Sequence, residues 1–274
     1  MSKNIAIFAS VVNEKTRASF PRGLFSYNDV AIIIDQKSKN PIKILVGTKE
    51  ISTFDLVYFR TWRKYALIAF PMARYLKMKG VKIIDTEILK SQVDSKTYEY
   101  ICAAEHNVPI PRSIIACKVK LVTMKKTIHD TFTLYPLIVK AAEGKQGRDN
   151  FLVKNFTELK KVLSNYPNDK LFIVQEYIPN NFDYRFLVTG YKTALVYKRI
   201  RTNEISHLNN ISQGGLREIV DANKLKSLCK IAEKISKALY REVCGVDIII
   251  STKTGEPYVL EANSGPQLNF KPAT

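Results

Sequence analysis

Two carboxylates placed in apolar runs near the end of the chain constrain its fold more than any other feature. Asp247 lies within Gly-Val-Asp-Ile-Ile-Ile, and Glu261 follows Tyr-Val-Leu, with a polar turn at 251–255 between the two runs. This pattern predicts two adjacent β-strands joined by the turn. Burial of an unpaired carboxylate is costly, so Asp247 and Glu261 are expected to share a cation, with Asn263 adding a neutral oxygen.

The expected cation site has only oxygen ligands, which favours magnesium or manganese over zinc. Magnesium commonly bridges a few carboxylates to the phosphates of a nucleotide. The alternative interpretation is that salt bridges to some of the many lysines satisfy both acids. The 4 cysteines and 3 histidines are dispersed along the chain, so neither a zinc site nor a disulfide framework is predicted.

A lysine and a loop with two glycines follow another apolar run. The segment Leu-Ile-Val-Lys-Ala-Ala-Glu-Gly-Lys-Gln-Gly, which ends at Gly147, carries Lys140 at the end of a predicted strand. Glycines let backbone N–H groups approach phosphate oxygens, and the lysine supplies a positioned positive charge. The spacing is not that of a Walker A loop. Taken alone, such a segment is more often an ordinary strand end and turn.

A cluster rich in arginine, asparagine and glycine lies between these two segments. Arg185 and Arg199 fall on or beside neighbouring predicted strands, where both guanidinium groups can face one anionic site. Each of these residues taken separately is more typical of a solvated surface. The cluster comprises Asp183, Arg185, Lys198, Arg199, Arg201, Asn209, Asn210, Gly214 and Gly215.

The charge of the chain favours anionic partners, because 43 Lys and Arg against 25 Asp and Glu give a formal charge of +18. A nucleotide, an acidic peptide and a nucleic acid all qualify, as does a generally basic, solvated surface. The lysines are spread without an arginine-rich block, which disfavours nucleic acid. Apolar runs are shorter than the roughly 20 residues of a membrane-spanning helix, and the chain starts with polar residues, so we predict a cytoplasmic protein without a membrane partner.

Hydrophobic periodicity predicts an α/β fold with α+β lobes. Its strands lack the glycine fingerprint of a nicotinamide-binding site. The predicted strands are 4–10, 30–35, 42–46, 56–59, 81–84, 113–117, 137–141, 151–153, 171–177, 185–188, 193–197, 246–250 and 257–261. The predicted helices are 64–79, 94–107, 157–164 and 223–240. Breaks in this pattern predict a first lobe of about 90 residues and a second section that begins near Pro109 and Pro111.

The order of these motifs resembles that of the ATP-grasp superfamily, and within it the RimK-like amino-acid ligases related to the ribosomal-protein glutamate ligase and the glutathione synthetases. The resemblance covers roughly residues 88–270. The motifs that carry it are Asp94-Ser-Lys96, Pro109-Ile-Pro111, Val139-Lys140, Gly144-Lys-Gln-Gly147, Val174-Gln-Glu-Tyr-Ile178, Asp183-Tyr-Arg185, Lys198-Arg199, Asn210-Ile-Ser-Gln-Gly-Gly215, Gly245-Val-Asp247 and Leu260-Glu-Ala-Asn263-Ser-Gly-Pro266.

The resemblance implies a role for each matching residue. One set of residues is implied to contact the phosphates, the adenine or the ribose of ATP. This set is Lys96, Lys140, Gly144, Gln146, Gly147, Gln175, Glu176, Tyr177, Ile178 and Asp183. The implied magnesium ligands are Asp247, Glu261 and Asn263. The groups implied to hold the transferred phosphoryl group and the activated carboxylate are Arg185, Arg199 and Asn210.

The resemblance also implies a fold and an activity. The fold would be an ATP-grasp fold: an N-terminal pre-ATP-grasp domain at 1–92, a central lid subdomain at 93–176 and a C-terminal subdomain with the magnesium site at 177–274. The activity would be an ATP- and Mg2+-dependent carboxylate–amine ligase, with Mn2+ as a substitute, acting through an acyl phosphate. The enzyme would add an amino acid to a peptide, a protein or a small amine. The positive charge of the chain favours an acidic acceptor. A homo-oligomer is also considered.

Two alternatives and two departures accompany this interpretation. The alternatives are a ligase that crosslinks the side chains of a biosynthetic precursor peptide, and a nucleotide- or nucleic-acid-binding module that has lost catalysis. Arg148-Asp149-Asn150 stands where the family usually has a further glycine, and Asn-Ser-Gly-Pro-Gln-Leu replaces the Asn-Ser-Ser-Pro-Gly of the glutamate ligases. The departures leave the amino-acid substrate unassigned.

Overall fold

A computed structural model of the chain describes residues 4–9, 12, 23–60, 62–84, 86–89, 95–143, 149–200, 216–263 and 266. The strands are β1 (Ile5–Ala9), β2 (Leu24–Ser26), β3 (Val30–Ile34), β4 (Ile42–Val46), β5 (Lys49–Glu50), β6 (Leu56–Phe59), β7 (Lys82–Ile84), β8 (Ser113–Cys117), β9 (Leu137–Ala141), β10 (Asn150–Val153), β11 (Leu171–Glu176), β12 (Phe182–Thr189), β13 (Lys192–Ile200), β14 (Leu216–Val220), β15 (Val243–Ile250) and β16 (Pro257–Asn263). The α-helices are α1 (Ala66–Met78), α2 (Lys96–Glu105), α3 (Lys118–Leu121), α4 (Lys125–Phe132), α5 (Phe156–Ser164) and α6 (Lys226–Ala238).

The first sheet is parallel and has the strand order β2-β1-β6-β7. Parallel neighbours need a crossover connection, and α1 provides it between β6 and β7. Ile68, Met72 and Leu76 recur at intervals of four residues along α1 and are all buried. This spacing directs one apolar face of the helix toward the core. No helix among the described residues is long and apolar enough to cross a bilayer.

The second sheet has seven strands in the order β10-β9-β11-β8-β3-β4-β5. β3 and β8 pair in antiparallel register, with Ile32 opposite Ile115, and both side chains are fully buried. Continuous β-branched runs of this kind are typical of strands covered on both faces. The sheet therefore takes strands from both sides of residue 92, where the sequence predicted a domain boundary, and that boundary stays a prediction.

The third sheet is antiparallel, with the order β14-β13-β12-β15-β16. α6 packs against one of its faces, where Ile235 belongs to the same buried cluster as Phe186 and Val246. Because side chains alternate across a strand, Arg185 and Asp247, next to these apolar residues, point to the opposite face. The same alternation that builds the core thus collects charged groups on the other side of the sheet.

Local capping sets where two of the helices begin. The side chain of Ser95 accepts a hydrogen bond from the backbone N–H of Tyr98, so α2 starts at Lys96. Asn155 caps α5 in the same way through the N–H of Glu158. Most predicted elements are present within a few residues of their expected ends. The elements that sequence patterns did not predict are β2, β5, β14, α3 and α4.

Candidate active site

A cleft that is open to solvent lies between the β9–β11 part of the second sheet and the β12–β13–β15–β16 part of the third. The fold brings together here residues from distant parts of the chain. The predicted site residues that line the cleft are Lys96, Lys140, Gln175, Glu176, Tyr177, Ile178, Asp183, Arg199, Asp247 and Glu261.

Lys140 projects from β9 into a polar network on one side of the cleft. Its Nζ atom donates hydrogen bonds to the hydroxyl of Tyr100 at 2.7 Å and to Oε1 of Gln175 at 3.1 Å. Burial lowers the pKa of Lys140 to about 8, while the charges of Glu261 and Glu99 act in the opposite direction. A lysine that is desolvated and fixed in direction is suited to an anionic ligand such as a phosphate.

Tyr100 joins three parts of the site through its hydroxyl. The oxygen accepts hydrogen bonds from Lys140 and, at 2.9 Å, from Nε2 of Gln175, and the hydroxyl lies 3.4 Å from the backbone oxygen of Leu260. Gln175 also donates to the hydroxyl of Ser113 at 3.1 Å. Sequence analysis did not single out Tyr100. Its position four residues after Lys96 on one helix, and therefore on the same face, is the signal that was missed.

The segment predicted to read adenine starts at the end of β11. Arg112 fixes Glu176 there, because its backbone N–H and its Nε atom donate to the two carboxylate oxygens at 2.8 and 2.9 Å. The carboxylate is thus held by Arg112, and the backbone from Glu176 to Ile178 runs along the cleft wall. This geometry is compatible with the prediction that the backbone of this segment contacts the base.

Two arginines and two aspartates form a charge network at the opposite wall, and three of the four residues line the cleft. Arg185 donates from Nε and Nη2 to the two oxygens of Asp247, each at 2.5 Å. Arg199 places Nη2 2.9 Å from Oδ2 of Asp247 and donates from Nε to Asp183. Burial opposes ionisation of Asp247, but the two arginines hold the pKa of its carboxyl below its usual value. The four charges balance one another.

Asp247 and Glu261 lie on neighbouring strands, as the sequence predicted, and an arginine lies beside both. The two acids face each other in the β15–β16 register. Nη2 of Arg185, which is bound to Asp247, lies 3.8 Å from Oε1 of Glu261, and Asn263 donates to the same oxygen at 2.9 Å. Within the part of the chain that the structure describes, arginine rather than lysine pairs with these carboxylates.

The predicted magnesium ligands have the oxygen chemistry that the ion requires. Among the described residues no cluster of three or more His, Cys, Asp or Glu side chains is arranged for a metal. The predicted set contains two carboxylates and one amide, and Mg2+ commonly takes one or two carboxylates plus substrate phosphates. Within the described residues the contacts of Glu261 involve Oε1, which leaves Oε2 for a metal ion. Asp247 differs from Glu261, because both of its oxygens already accept from Arg185 or Arg199. Glu261 and Asn263 thus offer the more available oxygens of a set that fits a magnesium ion bound together with a nucleotide.

Several predicted residues do not line the cleft or lie outside the described part of the chain. Arg185 and Asn263 are not in the cleft wall, but each contacts a residue that is. The predicted residues outside the described ranges are Asp94, Gly144, Gln146, Gly147, Arg201, Asn209, Asn210, Gly214 and Gly215.

Comparisons with known proteins find a matching domain family and named relatives. The family model of the RimK-like ATP-grasp domain matches residues 94–272. A protein of Vibrio atlanticus (strain LGP32) named probable alpha-L-glutamate ligase is 28% identical over 239 residues, which cover 86% of this chain and 76% of that protein. A protein of Shewanella loihica (strain ATCC BAA-1088 / PV-4) with the same name is 26% identical over 239 residues, with the same coverage.

Solved structures share the fold. The crystal structure of D-alanine–D-alanine ligase from Bacillus anthracis complexed with ATP superposes with a TM-score of 0.51 and 17% identity, covering 96% of this chain and 86% of that chain. A second crystal structure of that ligase also gives a TM-score of 0.51, with 14% identity and coverage of 98% and 88%. At such identities the likeness concerns the fold alone, and it agrees with the predicted α+β lobes.

Proposed function

Because the chain belongs to the RimK-like ATP-grasp family, we propose that it is an ATP-dependent ligase that joins a carboxylate to an amine through an acyl phosphate. The observation that carries this proposal is the composition of the cleft. Lys96 and Lys140 supply positive charge on one side, and Asp247 and Glu261 supply metal-ligating oxygens on the other. Phosphoryl transfer needs mainly positioning and charge neutralisation, and these groups supply both.

In the first step, an oxygen of the substrate carboxylate attacks the γ-phosphorus of ATP. The bond from that phosphorus to the β–γ bridging oxygen breaks, so that ADP leaves and an acyl phosphate forms. The lysines neutralise charge on the phosphates, and Arg199 lies in the cleft wall where it can contact the transferred phosphoryl group. Asp247, Glu261 and Asn263 would hold magnesium, which neutralises charge on the phosphates when it is bound.

In the second step, the amine nitrogen attacks the acyl carbon and the bond to the phosphate oxygen breaks. The amine loses a proton, inorganic phosphate leaves, and an amide remains. Water must be kept away from the acyl phosphate at this stage, because it would otherwise hydrolyse that intermediate. Asn210 and the loop at Gly144, Gln146 and Gly147 stay proposed contributors to phosphoryl and ATP binding.

We propose that the carboxylate or the amine belongs to an amino acid and that the other substrate is an amino acid, a peptide or a protein. The names of the relatives favour glutamate as one substrate. The formal charge of +18 favours an acidic acceptor, because opposite charge accelerates encounter and discriminates between partners.

The test is magnesium-dependent release of ADP across a panel of amino acids and acidic peptides. Release that requires one particular acid or amine, and that is lost in Glu261→Gln, supports the proposal. Glu256→Gln is the matched control, because Glu256 lies on the same hairpin and pairs with Lys37 and Tyr258 outside the cleft. Tight ATP binding without ADP release on any member of the panel would count against a ligase.

A further inference from the structure

The proposed metal ligands lie on an outer strand. β16 is at the edge of the third sheet and pairs only with β15 in the part of the chain that the structure describes. In an antiparallel ladder, every second residue of an edge strand directs its N–H and C=O away from the sheet. Ala262, between Glu261 and Asn263, is such a residue, and it is buried. Its peptide groups therefore need partners other than a strand.

A buried ion pair supplies these partners. Oε2 of Glu99 accepts a hydrogen bond from the N–H of Ala262 at 3.2 Å, and Nη1 of Arg241 donates to the carbonyl oxygen of Ala262. The same Nη1 lies 2.7 Å from Oε1 of Glu99. The side chains of Glu99 and Arg241 are 10% and 12% exposed. Together the two side chains bind the residue as a neighbouring strand would.

Stability alone does not account for this arrangement. A buried ion pair is often no more stabilising than apolar side chains of the same volume, because removal of both charges from water is costly. The ion pair instead fixes the position of β16. The acceptor Glu99 and the donor Arg241 together fit the N–H and the C=O of one residue, at one place along the strand. Glu99 also lies on α2, the helix that begins with Lys96.

We infer that Glu99 and Arg241 are positioning residues that clamp Ala262 and thereby hold Glu261 and Asn263 in place for magnesium. This inference rests on the proposed function, in which those two residues bind the metal. Groups that hold metal ligands in place typically change metal affinity by about 10–100-fold when they are removed. The clamp should therefore affect the binding of the metal complex and leave the binding of the metal-free nucleotide nearly unchanged.

The experiment is calorimetric titration of ADP with and without Mg2+, which gives the factor by which magnesium strengthens binding. The variant is Glu99→Leu with Arg241→Met, because removal of both charges avoids an unpaired one. In the double variant, the factor by which Mg2+ strengthens ADP binding should be about 10–100-fold smaller than in the native chain. The affinity for ADP without Mg2+ should be unchanged. The control is Glu105→Gln with Arg74→Met, which removes another ion pair of α2, with Nε of Arg74 2.6 Å from Oε2 of Glu105. Among the described residues, the side-chain hydrogen bonds of this pair join α1 to α2 and do not involve β16.

The outcomes separate this inference from the proposed function. If magnesium does not strengthen ADP binding to the native chain, the proposed function is wrong and the inference falls with it. If the native chain shows the effect and the double variant retains it within about threefold, only the clamp is wrong. Hydrogen exchange needs no variant: exchange of the Ala262 amide in the native chain at the rate of an open edge amide would also overturn the inference.

Discussion

Arg185 and Asp247 lie opposite each other on β12 and β15, and two nitrogens of the guanidinium group are each 2.5 Å from a carboxylate oxygen. Arg199 binds the same carboxylate from β13. One acid thus joins three strands of the third sheet. Burial opposes the charge of both arginines. Asp247 offsets this effect on the pKa of Arg185, and Asp247 and Asp183 together offset it for Arg199.

Asp247→Asn should therefore destabilise the chain strongly even without a ligand. Loss of one partner from a buried ion pair leaves uncompensated charge and typically costs about 3–5 kcal/mol. Denaturant unfolding measures the change. Glu256→Gln is the control, because its ion pair with Lys37 is exposed and such pairs contribute about 0–1 kcal/mol. Equal effects of the two substitutions would contradict the buried network.

ATP binding should weaken as the pH rises through about 8, the pKa of the half-buried Lys140. Below this pH the ammonium group is charged and attracts the phosphates. Above this pH most Lys140 side chains are neutral, and ATP binding must be accompanied by uptake of a proton. The dissociation constant of ATP therefore rises by up to about tenfold per pH unit. Calorimetry of metal-free ATP between about pH 7 and 9.5 measures the effect.

Lys140→Arg provides the control for this pH dependence. A guanidinium group stays charged over the whole interval, so the slope above pH 8 should disappear even if the affinity itself changes. A slope that persists in Lys140→Arg would assign the pH dependence to another group.

Tyr100→Phe should weaken ATP binding by about tenfold, equivalent to about 1.4 kcal/mol, because a lost hydrogen bond to a charged group leaves Lys140 less well held. The hydroxyl also accepts from Gln175, which loses that acceptor in the variant. Tyr98→Phe is the matched control on the same helix, because the Tyr98 hydroxyl contacts Arg74, at 3.4 Å, and not Lys140. Equal affinities of the two variants would remove Tyr100 from the site.

Ile32→Ala should lower the free energy of unfolding by about 2–5 kcal/mol, as large-to-small changes at buried positions do. Ile32 lies at the centre of the second sheet between β4 and β8 and is fully buried. Ile84→Ala, at a residue that is 46% exposed, should change it by less than about 1 kcal/mol. Urea unfolding, monitored by circular dichroism, measures the free energy of unfolding of both variants. An equal decrease in the two variants would contradict the observed pairing of β3.

Local patterns predicted the elements that carry the site. The strands predicted at 113–117 and 137–141 have the observed bounds, because runs of β-branched residues between breaking signals define them. The two-residue strand β5 has no such run and was missed. Helix α6 was predicted at 223–240 and spans Lys226–Ala238, because a short 3₁₀ turn precedes it.

Contacts between distant segments were harder to predict. The sequence indicated that Asp247 needs a cation and that Arg185 faces an anion, but not that each satisfies the other. Their contact depends on the register of two strands separated by 62 positions, which no local pattern encodes. The same holds for Glu99 and Ala262, which are 163 positions apart. Residues that line the cleft were thus easier to predict than the residues that contact them from other parts of the chain.

The pairing of β3 with β8 limits how this chain can be recombined with its relatives. A chimera with a breakpoint near residue 92 would separate β3, β4 and β5 from the strands beside them, so the two parents would have to match at Ile32 and Ile115. A breakpoint between β11 and β12 passes from one sheet to another and disturbs less hydrogen bonding. Even there, Glu99 and Arg241 would come from different parents, so the two parents would have to match at both positions.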